Sequence, residues 1–370
     1  MSVTDDLPLI DHHCHGVVDT NLQPDEVRWL GTESDWLANP GVETLDSPLG
    51  LAMRALCAPL IGLPKHAPVQ DYLTRRVELG TAAVNELLLA AAGTGRYLID
   101  SGFLVSDVLS PQQMATLTGK PADEIVRLER IAEQVAAEST ASGWVRAFRE
   151  ALTEQAEGAV GFKSVMAYRS GFELHDAAPE PSSVQRAVDE WFANGTTRLQ
   201  HPVVLAHLVW EAVQFGKPIQ FHTGFGDSDL VLHLSDPSRL TKFFVATKDS
   251  GVDFMLLHCY PFLREAGSLA HIFPHVYLDA GVTGHYLGPS AGTAVRQSME
   301  IAPFHKICYS SDAYGLAELY AISAAAWRRE TGRLLDQWLA GDWLSTADAE
   351  RIAWQIGVGN AARVYGVDEQ

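Results

Sequence analysis

The sequence has few cysteines and nothing that resembles a membrane span or a secretion signal. Its four cysteines are far apart and form no CxxC pair, so no disulfide framework is indicated. No window approaches about eighteen uninterrupted apolar residues, and the acidic start, Met1 to Pro8, has no apolar h-region. These absences predict a cytoplasmic protein with reduced thiols and no membrane partner.

Positive charge is also scarce. Lys and Arg number 27 against 46 for Asp and Glu, which gives a formal charge of −19. Such an excess of negative charge disfavours binding to nucleic acid or to an anionic membrane. We therefore expect a small-molecule substrate and no nucleic-acid partner. The global charge does not limit the charge of that substrate, because a local site can oppose it.

Nucleotide-binding signatures are missing as well: there is no GxGxxG turn after a strand and no GxxxxGK[ST] loop. What the chain does contain is an alternation of apolar strands and helices, with 47% apolar residues in a length of 370. That length allows one large α/β barrel or two smaller domains.

Eight strand candidates alternate with helices, which indicates a parallel sheet. They lie at Leu7–Ile10, Tyr97–Gly102, Ile125–Ile131, Val160–Tyr168, Lys217–Gly224, Phe254–His258, Val276–Asp279 and Lys306–Asp312. The third is equally compatible with a helix. Eight such units favour a (β/α)8 TIM barrel, taken as a single domain over residues 1–370.

A helical segment at about 20–95 follows the first strand and contains no strand candidate. It includes a long helix predicted for Asp71–Ala92, and we expect the segment to be an insertion that caps a site. Trp29, Trp36 and the apolar stretch Leu49–Leu60 could serve a subunit contact, so a homo-oligomer stays open.

Polar side chains recur where these strands end. His13 and His15 end the first strand, and residues two apart on a strand project to the same face. Later strands contribute Lys163, His222, His258 and Asp312. Each alone has a structural alternative, such as a core histidine, an ion-paired lysine or an N-cap aspartate. In a barrel, however, the carboxyl ends of all strands lie on the face that carries the chemistry.

In these residues the chain resembles the amidohydrolase superfamily of metal-dependent (β/α)8-barrel hydrolases. That superfamily has HxH after strand 1, Lys or Glu on strand 4, His on strands 5 and 6, and Asp on strand 8. The matching residues are His13-Cys14-His15, Lys163, His222, His258 and Asp312. Four segments resemble the amidohydrolase-related (amidohydrolase 2) family: Gly161–Ser164, Tyr168–Gly171, His222–Asp227 and Ser311–Tyr314.

The branch of that family which this chain resembles occurs alone or fused to a glutamine-synthetase-like domain, and no such domain fits here. The resemblance runs from Ile10 to about Tyr365, apart from the helical segment. It implies a metal-dependent hydrolase that cleaves an amide or related C–N bond of a small carboxylate-bearing molecule.

The resemblance implies a divalent metal, with His13, His15, Lys163, His222, His258 and Asp312 as its ligands. Imidazoles and a carboxylate suit zinc, with manganese or iron as alternatives. Asp312 would take the proton of the attacking water and return it to the leaving group, and His258 would bind a second metal or polarise the substrate oxygen. A carboxylated Lys163 would bridge two ions, so the count of one or two ions stays open.

Two residues beyond the strand ends are predicted to bind substrate. Arg169 suits a carboxylate through bidentate pairing, with a surface salt bridge as the alternative. Asp227 suits an amine, or it caps the following helix. On the first strand, we interpret His12 as structural, and Asp11 as a residue that orients a ligand imidazole.

Two other functions compete with hydrolysis. A metal-dependent decarboxylase would use Asp312 to protonate carbon. A non-catalytic binding barrel is disfavoured, because it predicts a missing ligand and none is missing.

Overall fold

A computed structural model describes residues 2–103, 108–195 and 197–369 of the chain. These residues form two compact units. The first comprises Met1–Ile99, Phe103–Asp123 and Asp279–Gln370, and the second comprises Asp100–Gly102 and Glu124–Leu278. The single barrel over residues 1–370 stays a prediction.

The described strand pairs are all parallel, as the alternation of strands and helices predicts. The strands are β1 Leu9–Cys14, β2 Thr94–Asp100, β3 Ala122–Arg127, β4 Ala159–Ser164, β5 Ile219–Thr223, β6 Phe254–His258 and β7 Val276–Leu278. In the first unit β1 pairs with β2. In the second unit the strands from β3 to β7 pair successively, in chain order.

Helices separate most of the strands. They are α1 Pro24–Leu30, α2 Pro48–Ala52, α3 Val69–Leu79, α4 Thr81–Ala92, α5 Pro111–Thr118, α6 Leu128–Glu138, α7 Ala141–Ala156, α8 Pro181–Ala193, α9 Pro202–Val213, α10 Thr241–Ala246, α11 Leu263–Ile272, α12 Thr283–Tyr286, α13 Ala291–Ser298, α14 Ala317–Ala340, α15 Thr346–Trp354 and α16 Asn360–Tyr365. No helix in the described part of the chain is long and apolar enough to cross a membrane.

Two predicted elements differ from the structure. The helix predicted for Asp71–Ala92 is broken into α3 and α4 at Gly80, whose φ of 79° is outside the helical region. The ambiguous segment at 125–131 is both a strand and a helix, because β3 ends at Arg127 and α6 begins at Leu128.

The predicted eighth strand, Lys306–Asp312, is not confirmed as a strand. Lys306 instead ends a short helical turn, Phe304–Lys306, and the residues after it exchange backbone hydrogen bonds with β1. His12 N–H donates to the Tyr309 carbonyl at 3.3 Å, and Asp312 N–H donates to the His13 carbonyl at 3.1 Å. The φ of Asp312 is +53°, in the left-handed region, so a regular strand could not continue through this residue.

Each unit buries its own apolar core. In the first unit, side chains of β1, β2, α4 and α14 pack together, with the Tyr97 and Tyr320 rings 5.9 Å apart. In the second unit, Phe221, Phe243 and Phe254 pack with ring centroids 5.1 to 6.0 Å apart. Strands buried on both faces leave polar side chains mainly at their ends, which is where the candidate ligands lie.

Candidate metal centre

The first unit brings together three predicted ligands: His13, His15 and Asp312. Asp312 Oδ1 lies 3.1 Å from His13 Nε2 and 3.6 Å from His15 Nε2. The two imidazoles meet edge to face, with centroids 5.1 Å apart. The His13 side chain is fully buried and that of Asp312 is 14% exposed. Two imidazole nitrogens therefore converge on one carboxylate oxygen, as the strand alternation predicts for the histidines.

Asp312 is held in place by its neighbour Ser311. The Asp11 carboxylate, on β1, accepts hydrogen bonds from Ser311 N at 2.8 Å and from Ser311 Oγ at 2.5 Å. Among the described residues, the Asp11 carboxylate makes its hydrogen bonds with Ser311 and none with an imidazole. The interpretation that Asp11 orients a ligand imidazole is therefore wrong. Asp11 instead fixes the turn that presents Asp312.

Burial dominates the electrostatics of Asp11. Desolvation raises its pKa from 3.8 to about 7, and the carboxylates of Asp312 and Asp279 add to the effect. The two hydrogen bonds from Ser311 oppose this rise because they stabilise the ionised form. The negative charge at this end of β1 is accordingly reduced near neutral pH.

His15 borders an aromatic group in the same unit. Its ring lies 5.0 Å from that of Phe103, and Phe103 lies 5.3 Å from Tyr314. The Tyr320 hydroxyl donates to the His15 carbonyl oxygen. One side of this imidazole is thus apolar, which limits its rotation and the access of water.

His12 has a different environment from its two neighbours. It is fully buried, with Nε2 2.9 Å from Asp279 Oδ2 and Nδ1 3.1 Å from the Tyr365 hydroxyl. Both ring nitrogens therefore have partners. This agrees with the interpretation of His12 as structural.

The second unit carries the other three predicted ligands: Lys163, His222 and His258. Lys163 lies in β4, is 2% exposed, and is in register with Arg127 of β3 and Gln220 of β5. The His222 and His258 rings lie 4.7 Å apart at the ends of β5 and β6. The φ of His258 is +66°, a conformation that non-glycine residues seldom adopt and that often marks functional sites.

The surroundings of His222 favour a neutral imidazole. Burial lowers its pKa well below 6.5, and the positive charges of Lys163 and Arg127 lower it further. Backbone hydrogen bonds at Gly224 and Phe225 oppose this shift. The Nε2 atom is buried and has no hydrogen-bond partner among the described residues. A neutral imidazole with an unshared nitrogen lone pair is the form that binds a metal.

Tyr168 lies against His222, with ring centroids 4.3 Å apart. Its position requires glycine at residue 226, since a Cβ there would overlap the Tyr168 hydroxyl. The loop after β5 and the short helical turn after β4 are thus fitted to each other. Together they pack one side of the His222 ring.

The two predicted substrate-binding residues also lie in the second unit. Arg169 Nη1 lies 3.0 Å from Glu133 Oε1, and its side chain is only 10% exposed. The Asp227 carboxylate accepts a hydrogen bond from Asp229 N at 3.0 Å within its own loop. The substrate contacts of both residues stay predictions.

Sequence reasoning missed Arg127, which follows the same rule as the ligands. It is the last residue of β3, and its charge acts on His222 and Tyr168. The sequence feature that could have indicated Arg127 is its position at the end of a strand. That strand end was not recognised because β3 passes into α6 without an intervening loop.

The donor atoms in each unit fit a divalent cation. The first unit offers two imidazoles and a carboxylate within 3.6 Å, and the second offers a buried imidazole nitrogen that makes no hydrogen bond. Imidazole and carboxylate ligands suit zinc, manganese and iron. The four cysteines are free and buried, and none is among the six predicted ligands.

Comparison with known proteins supports this description. A family model described as Amidohydrolase matches residues 129–367. Protein fluG of Emericella nidulans is 25% identical over 409 residues, covering 98% of this chain and 46% of fluG. The chain therefore spans about half the length of the curated relative it matches.

Solved structures give the same result for the fold. A protein from Lactobacillus casei described as a metal-dependent hydrolase has a TM-score of 0.86 at 28% identity, covering 98% of this chain and 96% of its own. A glucuronate isomerase from Caulobacter crescentus has a TM-score of 0.67 at 14% identity, covering 100% and 93%. A uronate isomerase from Bacillus halodurans has a TM-score of 0.65 at 14% identity, covering 99% of this chain and 95% of its own. At such low identity the two isomerases indicate a shared TIM-barrel-like fold and no more.

Proposed function

Because the chain belongs to the amidohydrolase family, we propose that it is a metal-dependent hydrolase that cleaves an amide or related C–N bond of a small carboxylate-bearing substrate. The observation that supports this most directly is the convergence of His13 and His15 on the Asp312 carboxylate. The family and the donor groups support an enzyme that uses a divalent metal.

On the superfamily pattern we propose six residues as ligands of one or two such ions: His13, His15, Lys163, His222, His258 and Asp312. The superfamily pattern supports the full set, and the geometry within each unit supports its own members. Zinc is the proposed ion. When bound, such a metal lowers the pKa of a water molecule and polarises a carbonyl group.

The proposed reaction is completed by side chains of this chain. Water oxygen bonds to the carbonyl carbon, the C–N bond breaks, and one proton must move from water to the leaving nitrogen. Asp312 is suited to carry that proton, because its carboxylate is 14% exposed and is anchored through Ser311 and Asp11. His258 is proposed to bind metal or to polarise the substrate oxygen.

Lys163 determines the number of ions in this proposal. A carboxylated Lys163 would bridge two ions, whereas an unmodified side chain is consistent with one. Metal analysis of the wild type and of Lys163→Ala distinguishes these cases. Loss of one of two equivalents supports the bridge, and a single equivalent in the wild type contradicts it.

The test is a screen of N-acyl amino acids and γ-glutamyl amides with the zinc-, manganese- or iron-loaded protein, run in ¹⁸O-labelled water. We expect amine release with ¹⁸O in the new carboxylate, and a fall in kcat of roughly 100- to 10,000-fold in Asp312→Asn. The exposed Asp249, whose side chain is 88% accessible, gives the control Asp249→Asn with unchanged kcat.

Two results would contradict the proposal. Turnover that survives in Asp312→Asn would exclude this residue as the proton carrier. Release of carbon dioxide without ¹⁸O incorporation would replace the hydrolase with a decarboxylase in which Asp312 protonates carbon.

A further inference from the structure

A buried pair of polar side chains, His12 and Asp279, lies in the first unit. Neither side chain is exposed, and His12 Nε2 lies 2.9 Å from Asp279 Oδ2. The other ring nitrogen of His12 lies 3.1 Å from the Tyr365 hydroxyl. Apolar side chains of similar volume often replace a buried ionic or polar pair at no loss of stability, so the fold alone does not explain this one. His12 directly precedes the candidate ligand His13, which suggests that the pair serves the site.

The second oxygen of Asp279 fixes a turn formed by residues 279–282. Asp279 Oδ1 accepts a hydrogen bond from Gly281 N at 2.6 Å. There is no room for a side chain at Gly281, because a Cβ there would overlap Ser310 Oγ and would lie 3.4 Å from Asp312 Cβ. The 279–282 turn therefore packs directly against the segment that carries Asp312.

Val282 extends this contact to the residue before Asp312. Its N–H donates to the Ser311 carbonyl oxygen at 3.0 Å. The φ of Val282 is +56°, an outlier for a β-branched residue, and such backbone strain persists where the surrounding structure enforces it, often at functional sites. Ser311 is thus held from two sides, by Val282 through its carbonyl group and by Asp11 through its N–H and hydroxyl groups.

We propose that His12 and Asp279 are positioning residues, which hold Asp312 in place against His13 through the 279–282 turn. The inference rests on the proposed function for the role of Asp312 as a metal ligand. It gives His12, whose sequence pattern indicates only a structural residue, a part in forming the site. Residues that orient metal ligands in this way typically change metal affinity roughly 10- to 100-fold when they are replaced.

The experiment uses two measurements that do not depend on hydrolysis. The first is the position of the Asp312 carboxylate relative to His13 in crystal structures of the metal-free proteins. The second is the affinity for zinc, measured by competition with a chromophoric chelator. Asp279→Ala removes both contacts of the carboxylate, and Gly281→Ala displaces the turn without breaking the buried pair.

Two control variants separate positioning from stability. Asp279→Asn keeps an acceptor for Gly281 N and a donor for the imidazole. Glu318→Ala removes another fully buried carboxylate of the first unit, which pairs with Arg76 at 2.7 Å. Urea unfolding of each variant shows that the measurements are made on folded protein.

We expect Asp279→Ala and Gly281→Ala to move the Asp312 carboxylate by more than about 0.5 Å and to weaken zinc binding roughly 10- to 100-fold. Asp279→Asn should retain the wild-type position and affinity. Glu318→Ala should lower the free energy of unfolding and leave both measurements unchanged, because its partner Arg76 belongs to a different buried pair.

Three results would overturn the inference. In the first, folded Asp279→Ala or folded Gly281→Ala leaves both measurements at their wild-type values. In the second, Asp279→Asn has the same effect as Asp279→Ala. In the third, Glu318→Ala weakens zinc binding as strongly, which would show that the affinity follows stability alone.

Failure of the proposed function would be recognised separately. The wild type would then hydrolyse no amide in the screen, while the position of Asp312 and the zinc affinity would still respond to Asp279→Ala. A wild type that bound no metal would contradict the proposed function as well. The position of Asp312 in the metal-free variants would still decide the inference.

Discussion

Acidification is expected to destabilise the first unit through His285, a fully buried imidazole of α12. Its Nδ1 lies 2.9 Å from Ser323 Oγ, and its ring meets that of Tyr286 edge-on at 4.4 Å. Burial lowers its pKa from 6.5 to about 3. The unfolded chain therefore binds a proton near pH 6.5, whereas the folded chain does so only near pH 3.

The sign and size of the effect follow from this difference in proton uptake. Between the two pKa values the unfolded state holds more protons at His285, so the contribution of this residue to the free energy of unfolding is highest above pH 6.5 and falls as the pH is lowered. A difference of about 3.5 units corresponds to about 5 kcal/mol in total. Between pH 6.5 and about 4.5 the His285 contribution should fall by about 2 kcal/mol. It is measured as the difference between wild type and His285→Phe, because Asp11, whose pKa is raised to about 7, changes stability in the opposite direction over the same range in both proteins.

The assay is urea unfolding at several pH values in this range, on metal-free protein so that metal release makes no contribution. His285→Phe keeps a ring and cannot titrate. This variant should not show the pH-dependent loss of about 2 kcal/mol. Its free energy of unfolding should instead be lower by a constant amount of about 1 kcal/mol, because the Ser323 hydroxyl loses its hydrogen-bond partner. The exposed His233 gives the control His233→Phe, which should follow the wild-type profile. A constant offset between wild type and His285→Phe across the range would refute the reasoning.

Two further predictions concern packing. Arg76 and Glu318 form a buried ion pair at 2.7 Å, and Glu318→Gln should lower the free energy of unfolding by about 3–5 kcal/mol in urea, because it leaves a buried charge unpaired. The exposed ion pair of Arg75 with Glu78 is the control. An equally large loss of unfolding free energy in Glu78→Gln would contradict this explanation. Gly226→Ala should cost about 1–3 kcal/mol through its clash with Tyr168, and a double-mutant cycle with Tyr168→Ala should recover most of that cost. Additive losses in the cycle would show that the clash is not the cause.

Some of the site could be predicted from the sequence because apolar runs stop at polar residues. His222 is the next-to-last residue of β5 and His258 is the last of β6, where the runs place them. His13 and His15 share a face through the two-residue period of an extended chain. These are local rules, and they hold before any tertiary contact forms.

Other features depend on contacts that no local pattern contains. Asp11 binds Ser311, which is 300 residues away, so its role in fixing Asp312 could not be derived from its place on β1. The left-handed backbone at Asp312 arises in a segment whose composition is typical of a strand. Arg127 was overlooked because the pattern at 125–131 fits strand and helix equally well. Tertiary packing decides such segments.

The split of the first unit into distant parts of the sequence has a consequence for synthesis on the ribosome. Residues 124–278 of the second unit are synthesised as one continuous stretch. The strands from β3 to β7 can therefore pair with one another before synthesis of the chain ends. β1 must wait for Tyr309 to Ala313, its later hydrogen-bond partners. Because domains fold as their residues become available, the His13–Asp312 pair is among the last contacts of the nascent chain to form. A nascent chain that ends before Asp312 would contain His13 and His15 but would lack the carboxylate that these two side chains contact.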